Sequence, residues 1–229
     1  LINLILRSCG CLSQLETHDV YNIEACSNTV TELEANFQNQ VLHEFPFTSK
    51  SRNFKHFKNN FLEFFKQTII LSSEKNILIG DPSDAEKDEN EGAEEEGSFF
   101  ENLLIWLSHL SASTIRPLRY VTTNILLSIQ TTVCEIYVKV IKNQDKNSNN
   151  LNAENEKLAA TQKKLKAKRI SKAEQQKFNR DLKKHQNHIE SIKKNLKLYE
   201  FNKSVLGEYL FDLFETVFVF RFKDTDTKI

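Results

Sequence analysis

The sequence predicts an all-α fold, in which an irregular array of helices carries a long antiparallel coiled-coil hairpin. Three observations support this prediction. Turn residues are scarce, with 5 glycines and 3 prolines among 229 residues, and sheets need many turns. Apolar residues recur at three- and four-residue steps over most of the chain. In the C-terminal half these steps extend into a sustained seven-residue repeat, which is typical of a coiled coil.

The N-terminal segment is predicted to form short helices. Residues 1–8 complete a helix that Gly10 can close, because glycine readily adopts the left-handed conformation of a C-terminal cap. Two further helices can start within residues 17–37, with Ser27 or Asn28 as a cap for the second. Pro46 ends this segment, because proline cannot continue a helical hydrogen-bond ladder.

The four cysteines form no CxxC pair, which favours a reducing compartment. A zinc site is the alternative, built from Cys9, Cys11, His18 and Cys26. The Cys-x-Cys spacing is poor for a structural zinc site. We therefore expect three buried cysteines at helix ends, no bound metal, and a fourth cysteine, Cys134, elsewhere.

A phenylalanine-rich helix is predicted next. Its apolar residues share one face and form a core stripe: Phe54, Phe57, Phe61, Phe64, Phe65 and Ile69. Residues 72–98 interrupt the helices. Within them the acidic run 81–97, whose only base is Lys87, has the composition of a solvated, disordered loop.

Two helix starts follow the acidic run. Ser98 and Glu101 form a capping-box pattern ahead of a very apolar helix that contains Trp106. Ser111 or Ser113 can cap the next helix, because Pro117 then falls in its first turn, where proline is tolerated. No stretch reaches the roughly 18 consecutive apolar residues of a membrane span, so no membrane partner is expected.

The long hairpin is predicted from two apolar stripes that meet near residues 169–171. The sequence SKAE, which begins at Ser171, is a second capping box and starts the second arm. Each arm has on the order of 50 residues, or about 75 Å. The seam of the second arm has alternating steps of four and three residues: Phe178, Leu182, His185, Ile189, Ile192, Leu196, Tyr199, Lys203, Leu206, Leu210, Leu213, Val217 and Phe220.

Domain organisation follows from these elements. Residues 1–112 form an N-terminal helical region and 113–222 form the hairpin, with a basic tip at 163–172 that projects into solvent. Helix pairs of unequal length suit a HEAT-like array. No catalytic motif is present, and five glycines are too few for most cofactor sites, so we expect neither an enzyme nor a cofactor.

The hairpin tip is the feature that most suggests a function. The segment KKLKAKRISK, residues 163–172, has six positive side chains in ten residues. Such a segment can bind nucleic acid without sequence preference by neutralising phosphates. An ordinary solvated coiled-coil surface is the alternative explanation, although such surfaces usually balance lysine with glutamate. An RNA-binding arm and a docking rod for an acidic protein also remain open.

Four segments, in order along nearly the whole chain, resemble the stromalin (STAG) family of cohesin subunits, in particular its fungal members. They are LINLILRSCGC at 1–11, RNFKHFKNNFLEFF at 52–65, LSHLSASTIRPLRYVTT at 107–123 and VFVFRFKD at 217–224. The last resembles the start of the stromalin conservative domain, which 223–229 would enter. Phe220 and Lys223 depart from the family's His and Arg, and the acidic run is a further departure.

The resemblance implies a non-enzymatic, HEAT-repeat scaffold that acts in sister chromatid cohesion, on chromosomes in the nucleus. It implies contacts with the kleisin, with other cohesin subunits or regulators, and with double-stranded DNA through basic surfaces. The main kleisin-binding surface is expected outside this chain. Charge density and the matching motifs nominate ten DNA-binding residues: Lys163, Lys164, Lys166, Lys168, Arg169, Lys172, Arg116, Arg119, Lys55 and Lys58.

Overall fold

A computed structural model describes residues 1–41, 44–79, 99–165 and 171–221. Over these ranges the regular structure is helical and no strand occurs, which confirms the all-α prediction. The helices are α1 (Ile2–Ser8), α2 (Thr17–Tyr21), α3 (Cys26–Gln38), α4 (Phe57–Glu74), α5 (Phe99–Ser111), α6 (Arg116–Leu165), α7 (Lys172–Leu213) and α8 (Val219–Arg221), with a 3₁₀ turn at Arg52–Phe54 and a π-helical segment at Phe214–Phe218.

The chain divides into two compact units. The first consists of Leu1–Ile136 with Glu208–Ile229, and the second of Tyr137–Gly207. The boundaries between the compact units therefore lie within the two long helices, α6 and α7. The division predicted at residues 112 and 222 follows sequence motifs and stays a prediction.

Gly10 closes α1 as predicted, with a φ of 81°. A Cβ atom at this position would overlap the backbone carbonyl oxygen of Glu44, so the close approach of the chain also requires glycine. Two side-chain amides hold the loop after α1. Asn3 pairs with both backbone polar groups of Leu15, at 2.8 and 2.9 Å, and Gln40 accepts from the N–H of Leu12 and donates to the carbonyl of Gly10.

The predicted cap of α3 was wrong. The helix begins at Cys26, so Ser27 and Asn28 lie inside its first turn. The side-chain oxygen of Asn22 instead accepts the N–H of Ala25, 3.2 Å away, just ahead of the helix. Among the described residues, no side chain caps α3 itself.

Helix α4 has the predicted aromatic stripe with one correction. Phe61, Phe65 and Ile69 are buried, but Phe64 is 45% exposed. Steps of four residues align the buried three, and Phe64 falls about a quarter turn to one side.

The helix continues to Glu74, so the break predicted at residue 72 begins later. Leu78, beyond the end of the helix, is fully buried. The acidic run 81–97 lies outside the described residues.

Helix α5 lies in the core of the first unit. Phe100, Trp106, Leu107 and Leu110 have no exposed surface, and the indole Nε1 of Trp106 donates to the carbonyl of Val20 at 2.9 Å. This agrees with the predicted burial of an apolar helix on most sides. Ser98 lies outside the described residues, so its capping box stays a prediction.

Ser113, one of the two predicted caps, lies three residues before the start of α6 and holds the turn that leads into it. The hydroxyl of Ser113 accepts the N–H of Ile115 at 3.0 Å, and Pro117 is the second helical residue. The carboxylate of Glu34 adds two hydrogen bonds, from the N–H and the hydroxyl of Thr114, both 2.9 Å. Partial burial of Glu34 favours a higher pKa, but the hydrogen bonds from Ser113 and Thr114 outweigh it and lower the pKa.

The sequence led us to expect no membrane span, and helix α6 is the exception among the described residues. By length and composition alone it could span a membrane, because an 18-residue window within it reaches a mean hydropathy of 1.3. The mean hydropathy of a window can be high even where threonines and serines interrupt the run of apolar residues. One such helix is weak support for a membrane span, and α6 supplies the fully buried Leu118, Ile125 and Ile129 to the protein core.

The second unit is an antiparallel pair of helices. The Nδ1 atom of His185 lies 2.7 Å from Oε1 of Glu154, which joins the two arms across 31 residues. Half-buried residues recur along α6 at alternating steps of three and four, as a seam requires: Leu151, Glu154, Leu158, Thr161 and Leu165. This confirms the predicted pairing of the arms.

Two members of the predicted seam were wrong. Lys203 is exposed and Asn202 is half-buried in its place, because burying an unpaired ammonium group is costly. Phe220 is 68% exposed. The π-helical segment Phe214–Phe218 precedes it and has more residues per turn than an α-helix, so it rotates later residues away from the stripe.

Candidate nucleic-acid interface

The hairpin tip holds three of the predicted residues where they can be described. Lys163 and Lys164 lie in the last turn of α6, and Lys172 is the first residue of α7. All three are exposed. Lys166, Lys168 and Arg169, which complete the predicted tip, lie outside the described residues.

The start of the second arm is fixed by the predicted capping box. The hydroxyl of Ser171 donates to the carboxylate of Glu174 at 2.7 Å, and that carboxylate accepts the N–H of Ser171 at 3.0 Å. In return Ser171 Oγ accepts the N–H of Glu174 at 3.3 Å. The hydrogen bonds from Ser171 lower the pKa of Glu174. The basic tip is therefore followed by a well-defined helix start.

Arg119 and Arg116 open α6 but differ in their surroundings. One guanidinium nitrogen of Arg119, Nη1, donates to the backbone carbonyls of Ser113, at 3.0 Å, and Thr114, at 3.3 Å. Arg119 thus ties the loop before α6 to its first turn. Arg116 is the first residue of the helix and is exposed.

Lys58 is held by aromatic residues. Its Nζ atom donates to the hydroxyl of Tyr120 at 3.0 Å and lies 5.1 Å from the ring centroid of Tyr120 and 5.2 Å from that of Phe47. The two rings meet edge to face at 5.8 Å. These contacts are typical of a cation–π site that joins α4 to α6. The geometry favours a packing role for Lys58.

Lys55 lies in a different setting, at the start of α4. It is exposed and lines a cleft of about 350 Å³, together with Arg52, His56, Asn60 and neighbouring phenylalanines. The cleft is basic, and among its described lining residues there is no carboxylate. Lys55 is therefore better placed than Lys58 to meet a phosphate from solvent.

A further basic surface was missed by sequence reasoning. Six exposed cations lie on α7 at positions that face away from the seam, and we call this set the outer α7 face: Lys177, Arg180, Lys183, Lys184, Lys194 and Lys197. The signal was available in the sequence. When the seam positions are removed from the repeat, these residues fall on one side of α7. Charge density alone nominated only the residues of the tip.

The seven predicted residues that the structure describes are divided between the two compact units. Lys55, Lys58, Arg116 and Arg119 belong to the first unit, whereas Lys163, Lys164 and Lys172 belong to the second. Each group is therefore a separate candidate surface.

Three of the four cysteines, Cys9, Cys11 and Cys26, are buried thiols in the first unit. Burial raises the pKa of Cys9 far above its ordinary value and raises that of Cys26 to about 11, which disfavours the thiolate that binds metals. Cys11 is also buried and Cys134 is exposed. Throughout the described ranges, no group of three or more potential ligands is positioned to hold a metal ion.

Comparisons with known proteins agree on one family. The STAG domain model matches residues 43–176. The cohesin subunit psc3 of Schizosaccharomyces pombe is 26% identical over 230 residues, which cover 100% of this chain and 20% of psc3. The cohesin subunit SCC3 of Saccharomyces cerevisiae is 32% identical over 149 residues, which cover 62% of this chain and 12% of SCC3.

A solved structure has a similar fold. The cohesin subunit Scc3 from Z. rouxii, residues 88–1035, matches with a TM-score of 0.74 and 27% identity, over 99% of this chain and 22% of that one. This chain therefore spans about a fifth or less of the length of these relatives.

Proposed function

This chain belongs to the STAG domain family, and on that premise we propose that it acts as part of a non-enzymatic scaffold subunit of the cohesin complex. The family match extends over residues 43–176, more than half of the chain. The proposed role is in sister chromatid cohesion, on chromosomes in the nucleus. Contacts with the kleisin and with other cohesin subunits or regulators form part of the proposal, with the main kleisin surface outside this chain.

The second part of the proposal is sequence-independent binding of double-stranded DNA. The observation that carries it is the excess of exposed cations on the second unit. Between Lys163 and Lys197 the sequence has 13 lysines and arginines and 3 aspartates and glutamates. Coulombic attraction and counterion release act on any duplex regardless of its base sequence.

The proposed contact residues differ in their support. The tip residues Lys163, Lys164 and Lys172 are exposed, and Lys166, Lys168 and Arg169 join them by charge density alone. Lys55 and Arg116 are exposed secondary candidates in the first unit. Lys58 and Arg119 are half-buried, so we rank them last.

The alternative function is a helical adaptor whose basic arm binds RNA or an acidic protein. Its support is the same charge excess, since phosphates of RNA and clustered carboxylates both attract lysine. The alternatives differ in ligand preference. An RNA arm prefers structured RNA to duplex DNA of equal length, whereas a protein-docking arm binds neither above background.

Fluorescence anisotropy with duplex DNA at about 50 and about 200 mM salt tests this proposal. The intact chain is compared with a variant in which Lys163, Lys164, Lys166, Lys168 and Arg169 are changed to Glu. We expect binding that weakens steeply with salt and falls strongly in the variant. Unchanged binding in the variant would move the contact away from the tip, and absence of binding by the intact chain would reject the DNA part of the proposal.

A further inference from the structure

The seam of the hairpin fixes which side of α7 faces solvent. Phe178, Leu182, His185, Ile189 and Ile192 are buried or half-buried at alternating steps of four and three. In such a repeat the positions between seam residues that point away from the partner helix also align along the helix. The six cations of the outer α7 face occupy these positions, and all are exposed.

The charge of this face is strongly one-sided. Among its outward positions from Ala173 to Leu198, Glu190 is the single acidic residue against six cations. The corresponding outward positions of α6 in this unit are more balanced. They hold Lys139, Lys142, Lys146 and Lys163, with Asp145 and Glu156 opposing them. The two arms of one hairpin thus differ in charge.

The cations of the outer α7 face are not neutralised by neighbouring side chains. In the described part of the chain, no carboxylate oxygen lies within 4.0 Å of their side-chain nitrogens. The second unit does form such contacts elsewhere, since Glu154 contacts both Lys157, at 3.0 Å, and His185, at 2.7 Å. The positive charge of the face is therefore available to an external anion.

The dimensions and composition of the face suit the backbone of a duplex. Twenty residues separate Lys177 from Lys197, which is about 30 Å of helix at about 1.5 Å per residue. A duplex presents phosphates about every 3.4 Å along each strand, so this length matches roughly nine base pairs. Between Ala173 and Leu198 the outward positions hold no aromatic side chain on which unpaired bases could stack, and single-stranded ligands usually need such platforms.

From these observations we infer that the outer α7 face is a second surface, in addition to the tip, through which the hairpin binds the phosphate backbone of duplex DNA. The inference rests on the proposed DNA-binding function and specifies its surface. The contact runs along the second arm, beyond the tip. The face binds through charge alone, so its contribution does not depend on base sequence.

A matched pair of charge reversals tests the inference. One variant of the full chain carries K177E, R180E and K184E, and the control carries K139E, K142E and K146E. The two triplets have the same three- and four-residue spacing, lie at equivalent outward positions, and change the net charge equally. Both are exposed and away from the seam, so circular dichroism is expected to show unchanged helicity.

Duplex binding is measured by anisotropy across salt concentrations for the intact chain and both variants. We expect the α7 variant to bind at least about tenfold more weakly and to lower the slope of log K against log salt by about 3, at about 0.9 per lost phosphate contact. The control is expected to retain most of the affinity. Equal losses in both variants, or no loss in the α7 variant, would overturn the inference while leaving DNA binding intact.

A second probe separates this inference from the function on which it rests. If the intact chain binds no duplex, the proposed DNA binding fails, and the inference fails with it. A poly-glutamate chain serves as the acidic-protein probe. Binding of poly-glutamate by the outer α7 face in preference to duplex DNA would overturn the inference in favour of an acidic protein partner.

Discussion

At the scale of single residues, Lys58 illustrates why a basic side chain in a basic motif need not bind a ligand. Charge and position nominated it for DNA, yet its ammonium group is held by the hydroxyl of Tyr120 and by two aromatic rings. The sequence shows the lysine and the aromatic residues, but Lys58 and Tyr120 lie 62 residues apart. Only the packing of α4 on α6 brings them together.

Replacement of Lys58 by Met is expected to destabilise the fold by about 1–2 kcal/mol, because it removes a cation–π contact and a hydrogen bond while keeping an apolar stem. Urea unfolding measures this change. Lys55→Met is the control, because Lys55 is exposed and its loss is expected to alter stability by less than about 0.5 kcal/mol. Equal effects of the two substitutions would contradict the packing role of Lys58.

Gly10 and Gly207 offer a second prediction, since the same substitution meets opposite surroundings. At Gly10 a Cβ atom would overlap the Glu44 carbonyl and the φ of 81° is strained for alanine, whereas at Gly207 nothing lies within 4 Å. Gly10→Ala is expected to cost about 1–3 kcal/mol. Gly207→Ala, inside α7, is expected to stabilise by up to about 1 kcal/mol. Thermal unfolding of both variants measures these changes in stability. A Gly10→Ala protein as stable as the intact chain would contradict the geometry assigned to Gly10.

At the scale of elements, the helices were predictable wherever local chemistry determined them. The Ser171 capping box and the closure of α1 by Gly10 both use contacts within a few residues, and both are present. The incorrect predictions concern positions where the exact start of a helix or its number of residues per turn determines which way a side chain faces. The predicted caps Ser27 and Asn28 lie inside the first turn of α3, and the π-helical segment Phe214–Phe218 moved Phe220 off the stripe.

The polar pair in the hairpin seam makes stability depend on pH. Hydrogen bonds from His185 and Lys157 lower the pKa of Glu154 in the folded state below its ordinary 4.5. The ionised carboxylate therefore stabilises the hairpin above pH 4.5, and this stabilisation disappears as the pH falls through the lower, folded-state pKa.

Thermal unfolding followed from about pH 6 to about pH 3 measures the effect. The melting temperature of the intact chain is expected to fall more steeply below pH 4.5 than that of Glu154→Gln, which cannot ionise. Glu156→Gln, on the exposed side of the same helix, is the control and is expected to leave the steep fall unchanged. Parallel pH profiles for the intact chain and Glu154→Gln would exclude a role for the pair.

At the scale of the whole molecule, the fold class was more accessible to sequence reasoning than the binding surface. The seven-residue repeat and the scarcity of turn residues determine an all-helical chain with paired long arms. Charge density pointed to residues 163–172, of which 166–170 lie outside the described residues. The outer α7 face is spread over 21 residues, so it is recognised only when the seam has been assigned and the outward positions are compared.

Central to the proposed function is the binding of duplex DNA through the charge of the DNA phosphate backbone. The most direct test is the affinity of the intact chain for two duplexes of unrelated sequence and for a structured RNA of equal length, measured across salt concentrations. The account predicts equal affinities for both duplexes, weaker binding of the RNA, and a steep loss of duplex affinity with salt. Tighter binding of the RNA, a strong preference between the duplexes, or affinity that does not depend on salt would contradict it.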